Sequence, residues 1–417
     1  MTKKILILGG ANLHCKLVKA AREMGLYTIV TDYLTDSPAK KIADQSLMFN
    51  IYDEDDIVAF CKREKVDAVI STHIDPCQRP YYNICNKLGL PCYIGNWEQV
   101  FTLTDKDAFK AACLRNNVDI IPTYDANKPE DIVFPVLVKP AHSRGSRGQT
   151  VCNSIAELPK ALETARAESS NHNAIIEKYM GNKGDFTMPY IFVNGVPHLT
   201  KTSDRYLGDL ELGLEKVGIG TISPSFYAGM YKRNVQERIL NMLRDLNIQN
   251  GPVFMQGFVD DDTVRFYDPG YRFPGSEYDT MFSRIWDMDI MKMMVEFALT
   301  GKMDNQYCKL LPDMSELKGH AVITLFPAMK EGHIAAIEGL DAIAAMPEVI
   351  GYTLRHNVGE NVPFTRNVNQ RFGEFDVIAE DYAALKKLIA KILSTLHVKD
   401  PSGNELLYGN IDVDKLP

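Results

Sequence analysis

Short apolar runs alternate with amphipathic stretches through the first hundred positions of the chain. The runs predict buried strands at 4–8, 27–30 and 67–70, and apolar positions at helical spacing predict helices near 13–24, 55–64 and 81–88. Strands that alternate with helices favour a parallel sheet with helices on both faces. Ligands of such sheets bind beyond the carboxyl ends of strands, which lie here near 9–11, Asp32 and 72–75.

The pattern changes after residue 103. Turn residues at the centres of 192–196 and 259–264 predict hairpins, and therefore antiparallel strands, as far as about 303. From about 319 a third segment mixes strands at 321–325 and 375–378 with a helix over about 379–393. The predicted fold class is α/β and α+β, with a parallel-sheet domain at 1–103, a central domain at 104–306 and a small α+β domain at 307–417.

One stretch near the start imitates a dinucleotide-binding turn. Gly9-Gly10 precedes a helix, and Asp32 follows about twenty residues later. The full G-x-G-x-x-G spacing is missing, because Asn12 and Leu13 occupy the later positions. A tight turn that closes a strand is therefore favoured over a nicotinamide site.

Composition and charge narrow the class of protein. The chain has 417 residues, 45% of them hydrophobic and 24% charged, which is typical of a globular protein. A net charge of -8 without a basic block argues against nucleic acid or an anionic membrane as partner. The eight cysteines form no Cys-x-x-Cys pair, and the first apolar run is too short for a secretory signal. We expect a cytoplasmic protein with reduced thiols, and a homodimer is compatible with the sequence.

The first candidate for chemistry is a strand at 136–138 that delivers Lys139 to a loop of Gly, Ser and Arg. A lysine offers a point charge to phosphate oxygens, and flexible backbone N–H groups can wrap them. The candidate phosphate contacts in the loop are Ser143, Arg144, Gly145, Ser146 and Gly148. A surface turn with scattered arginines is the alternative interpretation.

A second candidate is the apolar strand at 174–178, which carries Glu177 near its end. Such a strand can present backbone groups to a purine, and Asp185 follows at a distance suited to a ribose contact. The alternative is an edge strand with a solvated glutamate.

The third candidate is the hairpin around 260–262. Its two strands bring one oxygen-bearing side chain each, Gln256 and Asp268, to one face, and magnesium accepts few protein oxygens when phosphate and water supply the rest. Arg272 follows and can neutralise charge on a transferring phosphoryl group. The acidic tip at 260–262 is a further metal candidate, but a solvated turn is favoured there.

In this order the three stretches resemble the ATP-grasp superfamily, particularly the branch with carbamoyl phosphate synthetase, biotin carboxylase and the L-amino acid ligases. The resemblance implies an ATP-grasp fold behind a pre-ATP-grasp domain, with ATP and Mg²⁺ as cofactors. It also implies roles for single residues: Lys106 and Lys139 on phosphates, 143–148 as a mobile loop over them, Glu177 and Tyr179 at adenine, Asp185 at ribose, Gln256 and Asp268 at metal, and Arg272 as the arginine of the Glu-x-Asn-x-Arg signature.

The chain departs from that signature, which reads Asp268-Pro269-Gly270-Tyr271-Arg272 here. Asp can replace Glu as a magnesium ligand, but Gly270 has no side chain to replace the Asn oxygen. The departure predicts one well-ordered magnesium rather than two. A positive φ at Gly270 is the other interpretation of this glycine.

The resemblance implies an enzyme that forms carbon–nitrogen bonds by joining a small-molecule carboxylate to an amine through an acyl phosphate. The candidate substrate contacts are Asp75, Arg79, Lys201, Asp204 and Arg205. A plain solvated loop is the favoured interpretation for the last three, and the same alternative applies to Asp75 and Arg79, which lie where the front domain opens. Two other functions stay open: a ligase similar to phosphoribosylglycinamide synthetase, and a degenerate module that binds ATP without catalysis. A nicotinamide oxidoreductase is a more distant alternative.

Overall fold

The computed structural model describes residues 2–141, 148–169, 171–181, 183–209, 212–214, 217–275, 278–408 and 413. Four predicted phosphate-loop residues, Ser143, Arg144, Gly145 and Ser146, lie outside these ranges, whereas Gly148 lies inside them.

A parallel sheet forms the front of the molecule. Its elements are β1 (Lys4–Leu8), α1 (His14–Glu23), β2 (Tyr27–Thr31), α2 (Pro38–Ile42), β3 (Gln45–Leu47), α3 (Glu54–Glu64), β4 (Ala68–Ile70), α4 (Asp75–Leu88) and α5 (Trp97–Thr102). The strands are parallel in the order β3-β2-β1-β4, which confirms the predicted sheet. Helix α4 begins six residues before the prediction, because proline at position 76 is compatible with a first helical turn. Asp75 is therefore the first residue of this helix.

A small antiparallel sheet follows. Its elements are α6 (Lys106–Arg115), β5 (Thr123–Tyr124), β6 (Val136–Pro140), β7 (Thr150–Cys152), α7 (Leu158–Glu168) and β8 (Ala174–Lys178), with strand order β5-β8-β6-β7. Val136, Val138 and Ile176 form a separate apolar core with residues of α7. Alternation along β6 points these valines inward and leaves Lys139 on the other face.

A large sheet carries the rest of the chain. Its strands and the elements around them are β9 (Asp185–Val193), β10 (Val196–Leu199), β11 (Ser203–Leu207), β12 (Gly218–Ser223), α8 (Ala228–Asn234), α9 (Gln236–Asp245), β13 (Gly251–Asp260), β14 (Thr263–Gly270), α10 (Tyr278–Trp286), α11 (Ile290–Thr300), β15 (Ala321–Leu325), β16 (Gly332–His333), β17 (Ala336–Glu338), α12 (Leu340–Ala344), β18 (Val349–Leu354), β19 (Asn361–Val362), β20 (Gly373–Ala379), α13 (Tyr382–Thr395) and β21 (His397–Lys399). Short 3₁₀ turns lie at Pro129–Asp131, Ile155–Glu157, Leu317–Gly319 and Val368–Gln370.

The main path of this sheet runs β14-β13-β9-β11-β12-β15-β20-β18. Because β12 pairs with β15, the sheet continues across the expected boundary at 306–307. The strands predicted at 321–325 and 375–378 are present, but they extend the central sheet instead of forming a separate one. The domain limits themselves stay a prediction.

The two faces of the large sheet differ in polarity. On one face Phe375 and Val377 of β20 belong to the same apolar core as Leu385 and Ile389 of α13. On the other face, five residues lie directly opposite one another across five neighbouring strands: Asp185, Arg205, Thr221, Thr324 and Asp376. We call these five residues the polar row. Throughout the described part of the chain, the helices are too short or too polar to cross a lipid bilayer.

Candidate active site

Two lysines hold one buried glutamate where β6 and β8 run side by side. Glu177 Oε2 lies 2.5 Å from Lys139 Nζ, and Glu177 Oε1 lies 2.6 Å from Lys110 Nζ. Burial alone would raise the pKa of Glu177, but Lys139 and Lys110 together hold that pKa below its ordinary value. The Glu177 side chain therefore anchors lysines, which leaves only its backbone for the predicted adenine contact. Tyr179 lies two residues after Glu177, and its backbone N–H donates to Pro135 O at 3.0 Å.

Sequence reasoning missed Lys110. The signal was available, since Lys106 and Lys110 are four residues apart and therefore share one face of α6. Asp105 caps this helix by accepting hydrogen bonds from the backbone N–H groups of residues 107 and 108. The cap fixes Lys106 as the first residue of the helix, with its ammonium group exposed.

Lys106, Lys139 and Asp268 interact electrostatically although they come from three separate elements. Burial lowers the pKa of Lys139, and the charge of Lys106 lowers that pKa further. Burial and the neighbouring carboxylate of Asp75 raise the pKa of Asp268, while Lys106, Arg272 and Lys139 oppose that rise. A half-buried carboxylate is thus influenced by the three cations for which a role at the phosphates was predicted.

The two predicted metal ligands are direct neighbours. Gln256 on β13 lies opposite Asp268 on β14, with a bulge immediately after Gln256. Gln256 Nε2 donates to both carboxylate oxygens of Asp185, at 2.8 and 3.0 Å, so its carbonyl oxygen is the part left for a cation. Among the described residues no group of three or more His, Cys, Asp or Glu side chains has the arrangement of a metal site. This donor set fits a magnesium ion that takes its remaining ligands from phosphate and water.

Asp185 is enclosed by protein groups. Its side chain is 1% exposed, with Arg205 Nε 2.9 Å away and the Tyr267 hydroxyl donating at 3.3 Å. Burial raises the pKa of Asp185, and Arg205 opposes that rise. A ribose contact at this carboxylate requires the loss of one of these partners, so the ribose role stays a prediction.

Arg272 and Asp75 form a bidentate ion pair. Arg272 Nε and Nη2 donate to the two oxygens of Asp75 at 2.5 and 2.6 Å, and the guanidinium carbon lies 4.5 Å from the centre of the Phe254 ring. The pair joins the first residue of α4 to the segment after β14. Two candidates that were predicted separately, one catalytic and one for substrate, therefore contact each other.

Packing against Phe254 explains why position 270 is a glycine. It lies opposite Phe254 in the β13–β14 pair, and a Cβ built on it would lie only 2.8 Å from Phe254 Cδ1. Its φ is outside the left-handed region, so the interpretation of this glycine by a positive φ is wrong. The ring that excludes a side chain at position 270 is the ring on which Arg272 rests.

Replacing Gly270 with Asn is expected to displace the Phe254 ring, not to add a metal ligand. We expect the free energy of unfolding to fall by about 1–3 kcal/mol, the usual effect of overpacking. Chemical denaturation of Gly270→Asn measures this fall, and Gly351→Asn is the matched control because a Cβ at that strand glycine meets open space. Unchanged stability of Gly270→Asn would contradict the packing explanation.

The remaining substrate candidates lie in different surroundings. Arg79 stacks over Trp97 and Phe101, with ring distances of 5.7 and 5.3 Å, and donates to Thr104 Oγ1. Lys201 is 5% exposed, and burial lowers its pKa to about 8. The solvated loop is therefore a wrong interpretation for Lys201.

Asp204 and Arg205 are also not in a solvated loop. Asp204 is buried and accepts hydrogen bonds from the Ser225 hydroxyl at 2.5 Å and from the Phe226 backbone N–H at 2.7 Å. Burial raises the pKa of Asp204 to about 6. Asp204 thus stabilises the turn after β12, whereas Arg205 points into the polar row toward Asp185.

The acidic hairpin tip was predicted as a solvated turn, and this is wrong for its first residue. Asp260 is 6% exposed; Arg265 Nε lies 2.7 Å from it, Lys178 Nζ 3.4 Å, and Lys183 also forms an ion pair with it. Asp261 and Asp262 are exposed, as expected. Because three cations neutralise Asp260, it does not offer a second metal position.

The turn after β1 is a tight turn, as favoured. Gly9 has a φ of 100°, and the Gly10 backbone N–H donates to Asp32 Oδ2 at 2.8 Å. The second oxygen of Asp32 accepts from the Leu34 backbone N–H, also at 2.8 Å. The aspartate expected at a nicotinamide ribose instead holds the turns at the ends of β1 and β2.

A cavity of about 880 Å³ lies between α1, the segment after Arg272, and β18. Its charged lining includes Lys16 paired with Asp279, and Arg355 paired with Glu374. These residues come from distant parts of the chain, so no local sequence pattern predicted the cavity.

Three family models match successive parts of the chain. The ribonucleotide synthetase preATP-grasp domain matches residues 1–79, the ATP-binding domain of the carbamoyl-phosphate synthase L chain matches 105–187, and the L-amino acid ligase C-terminal domain 2 matches 324–399. The first model covers the strands of the parallel sheet, the second covers those of the small antiparallel sheet, and the third lies in the last part of the large sheet.

Curated relatives and solved structures agree with these models. Formate-dependent phosphoribosylglycinamide formyltransferase of Bacillus subtilis is 24% identical over 221 residues, which are 49% of this chain and 57% of that protein. The 2-oxoglutarate carboxylase small subunit of Hydrogenobacter thermophilus is 23% identical over 207 residues, 44% of this chain and 43% of that protein. The chain thus matches about half the length of these relatives.

Similarity of fold extends over nearly the whole chain. The L-amino acid ligase of Bacillus licheniformis aligns with 96% of this chain and 99% of its own, at a TM-score of 0.74 and 16% identity. Phosphoribosylglycinamide synthetase of Anaerococcus prevotii aligns with 96% of this chain and 100% of its own, at a TM-score of 0.71 and 17% identity. The three family models and the shared fold together place the chain in the ATP-grasp superfamily.

Proposed function

We propose that the protein is an ATP-dependent ligase that activates a small-molecule carboxylate as an acyl phosphate and transfers the acyl group to an amine. The observation that carries the proposal is that Lys106, Lys139 and Arg272 act electrostatically on the half-buried carboxylate of Asp268, which lies opposite Gln256 in the β13–β14 pair. Cations of this kind hold transferring phosphoryl groups, and a carboxylate among them suits a metal that bridges phosphates.

The first step joins the substrate carboxylate to the terminal phosphate. A carboxylate oxygen attacks the γ-phosphorus, the bond from phosphorus to the β-phosphate oxygen breaks, and ADP leaves. Arg272 neutralises charge on the transferring group; its guanidinium is held over Phe254, and donors now bound to Asp75 would turn to the phosphoryl oxygens. Lys106 and Lys139 orient the phosphates and hold the leaving group.

The second step forms the carbon–nitrogen bond. The amine nitrogen attacks the carbonyl carbon of the acyl phosphate, phosphate leaves, and the nitrogen loses a proton. Neither step requires a protein group to become charged. Positioning of the substrates and electrostatic stabilisation therefore account for most of the rate enhancement.

ATP and Mg²⁺ are the cofactors that this chemistry requires. Asp268 and the carbonyl oxygen of Gln256 would hold the metal, which when bound neutralises phosphate charge. With so few protein ligands, we expect tight magnesium binding only together with a nucleotide.

The substrates that stimulate phosphate release distinguish the alternative functions of the protein. The Bacillus subtilis relative is named as a formate-dependent enzyme that acts on phosphoribosylglycinamide, and the Bacillus licheniformis protein as an L-amino acid ligase. Phosphate release with ATP and magnesium therefore tests formate with phosphoribosylglycinamide, formate with glycine, and pairs of L-amino acids. We expect one carboxylate–amine pair to stimulate release at least tenfold, which is about 1.4 kcal/mol of barrier. Tight ATP binding without stimulated release by any pair would favour the non-catalytic module.

Replacing Lys139 with Ala is expected to weaken ATP binding by roughly 10- to 100-fold, because a phosphate loses a charge-assisted partner worth about 1.5–3 kcal/mol. Calorimetry of the Lys139→Ala and Lys106→Ala variants measures the change. Lys160→Ala is the control, since Lys160 is 81% exposed on α7 and, among the described residues, its ion pair is with Glu163. Unchanged ATP affinity in both site variants would show that the phosphates lie elsewhere.

A further inference from the structure

Two cysteines meet where the chain reverses after α4. Cys85 lies in the last turn of this helix, and the chain turns back through Gly89, whose φ is 67°. The Leu90 backbone N–H closes the turn by donating to Cys85 O at 3.0 Å. Two residues later comes Cys92, whose thiol interacts directly with the thiol of Cys85. Both are free cysteines; Cys85 is fully buried and Cys92 is half-buried.

A tyrosine hydroxyl lies beside the two thiols. Tyr81 precedes Cys85 by one turn of α4, and its ring centre lies 5.1 Å from that of Tyr93, the residue after Cys92. The Tyr81 hydroxyl is buried and forms no close hydrogen bond with any described residue. Burial raises the pKa of Tyr81, and Cys92 and Cys85 raise it further. A buried hydroxyl without an acceptor costs folding free energy, so an oxygen atom bound to one of these sulfurs would give it the missing partner.

The segment that carries Cys92 is tied to Arg272. Tyr93 follows Cys92, and its hydroxyl oxygen lies 3.2 Å from Tyr271 O. In return, the Tyr271 hydroxyl oxygen lies 2.9 Å from Tyr93 O, and the two rings pack edge to face with centres 5.3 Å apart. Tyr271 is the residue before Arg272. A shift of Cys92 therefore reaches Arg272 through one pair of tyrosines.

The surroundings leave little room to absorb such a shift. Position 251 is a glycine, and a Cβ built there would lie 2.5 Å from Cδ2 of Tyr93. On the other side of Arg272, the Phe273 backbone N–H donates to Thr72 O at 2.8 Å. Because close-packed interiors transmit strain, a displacement of Tyr93 is passed to the segment at 271–273.

We infer that Cys85 and Cys92 form a redox-sensitive modification site: a peroxide oxidises them to a disulfide, which displaces Arg272 and slows the ligase reaction. An accessible thiol next to a second thiol is the arrangement of a sensing and a resolving cysteine. Strained disulfides of this kind are readily reduced, so the modification is reversible. Formation of the disulfide does not depend on the proposed function, whereas its effect on turnover rests on that function.

The oxidation takes place in two steps. The Cys92 sulfur attacks one oxygen of hydrogen peroxide, the oxygen–oxygen bond breaks, and the thiol proton leaves with the other oxygen as water. The product is a sulfenic acid on Cys92, whose oxygen accepts a hydrogen bond from the Tyr81 hydroxyl. The Cys85 sulfur then attacks the Cys92 sulfur, the sulfur–oxygen bond breaks, and the proton of Cys85 leaves with that oxygen as a second water. Two thiols are thus oxidised and one peroxide is reduced.

Burial sets the order of these steps. Half-buried Cys92 can meet peroxide from solvent, whereas Cys85 has no exposed surface. Burial raises the pKa of Cys85, and its interaction with Cys92 adds to the rise, so Cys85 stays a protonated thiol that is inert toward peroxide. It reacts with the sulfenic sulfur beside it, because proximity compensates for its weak acidity.

Peptide mapping of the natural protein after treatment with hydrogen peroxide tests the site without catalysis. Trypsin cleaves after Lys87, so the disulfide joins the peptides 66–87 and 88–106, and fragmentation distinguishes Cys85 from Cys77 in the first of them. We expect this joined species, and dithiothreitol should return it to two free thiols. Cys308→Ser is the control, since Cys308 is also half-buried, and should give the same yield. Absence of the joined peptides, with Cys92 either reduced or oxidised beyond the sulfenic acid, would overturn the inference.

Turnover measures the effect on Arg272. Oxidation should lower kcat in the phosphate-release assay at least tenfold, about 1.4 kcal/mol of barrier, with little change in KM for ATP, because Arg272 acts on the transferring group. Dithiothreitol should restore the rate. Cys92→Ser and Cys85→Ala are expected to keep their rates after peroxide, and Cys308→Ser to lose its rate as the natural protein does. An equal loss in all four proteins would contradict a switch at this site.

Hydrogen exchange measures the same coupling without turnover. We expect the disulfide to speed exchange of the backbone amides at 271–273, because the Phe273 N–H is held by Thr72 O in the reduced protein. Strand β15 is the internal reference. If no substrate pair stimulates phosphate release, the ligase proposal fails, while the mapped disulfide and the exchange at 271–273 still decide this inference. A disulfide that leaves exchange at 271–273 unchanged would overturn the coupling to Arg272.

Discussion

Replacing Asp268 with Asn is expected to slow phosphate release by about 10²- to 10³-fold, the range seen when a preorganised electrostatic group is lost from an active site. The change preserves shape and removes only the negative charge that faces Lys106, Lys139 and the metal. Without magnesium, ATP affinity of Asp268→Asn should not fall, since a carboxylate near the phosphates has been removed. Single-turnover ADP formation and calorimetry measure the two effects.

Asp262→Asn is the matched control for that change, because Asp262 lies on the same hairpin at an exposed turn. Near-normal phosphate release by Asp268→Asn would remove this residue from the metal site. Loss of ATP affinity in the absence of magnesium would instead indicate that Asp268 has a structural role among the three cations.

Arg272→Lys is expected to lower turnover by a similar factor of about 10² to 10³, because an ammonium group keeps the charge but not the planar pair of donors. The guanidinium now contacts both oxygens of Asp75 and the face of Phe254, and lysine can reproduce neither geometry. Single-turnover rates of ADP formation measure the loss, with Arg244→Lys as control because Arg244 is 51% exposed on α9. A variant that turns over at the natural rate would show that Arg272 only ties α4 to β14.

Local patterns were sufficient for the elements that carry the site. The apolar run at 136–138 predicted a strand that delivers Lys139, and hairpin turns at 194–195 and 261–262 predicted the neighbours of β9 and β14. Both signals depend only on residues that are close in sequence.

Long-range partners were not predictable in the same way. Glu177 is as buried as a core residue, yet its carboxylate is shared by Lys139 and by Lys110, and Lys110 lies 67 residues before it. The pairing of β12 with β15 joins segments about a hundred positions apart, so the large sheet crosses a boundary that composition alone suggested. Asp260 is buried for the same reason: its three cations include Lys178 and Lys183 from a remote part of the chain.

Gly270 illustrates how a departure from a family signature can be misread. From the sequence, the missing Asn oxygen implied a change in metal binding. In the fold, the Phe254 ring fills the space of a side chain at position 270 and supports Arg272. Whether one magnesium or two are bound stays a prediction, but the glycine itself is explained by the ring.

The central claim is that a carboxylate oxygen attacks the γ-phosphorus of ATP. The most direct test uses a carboxylate substrate labelled with ¹⁸O in its carboxyl group, together with ATP, magnesium and the amine that stimulates phosphate release. Phosphorus-31 NMR of the products resolves labelled from unlabelled phosphate. We predict one ¹⁸O atom per inorganic phosphate released, and none in AMP. Label in AMP with release of pyrophosphate, or unlabelled phosphate accompanied by product, would contradict an acyl-phosphate ligase.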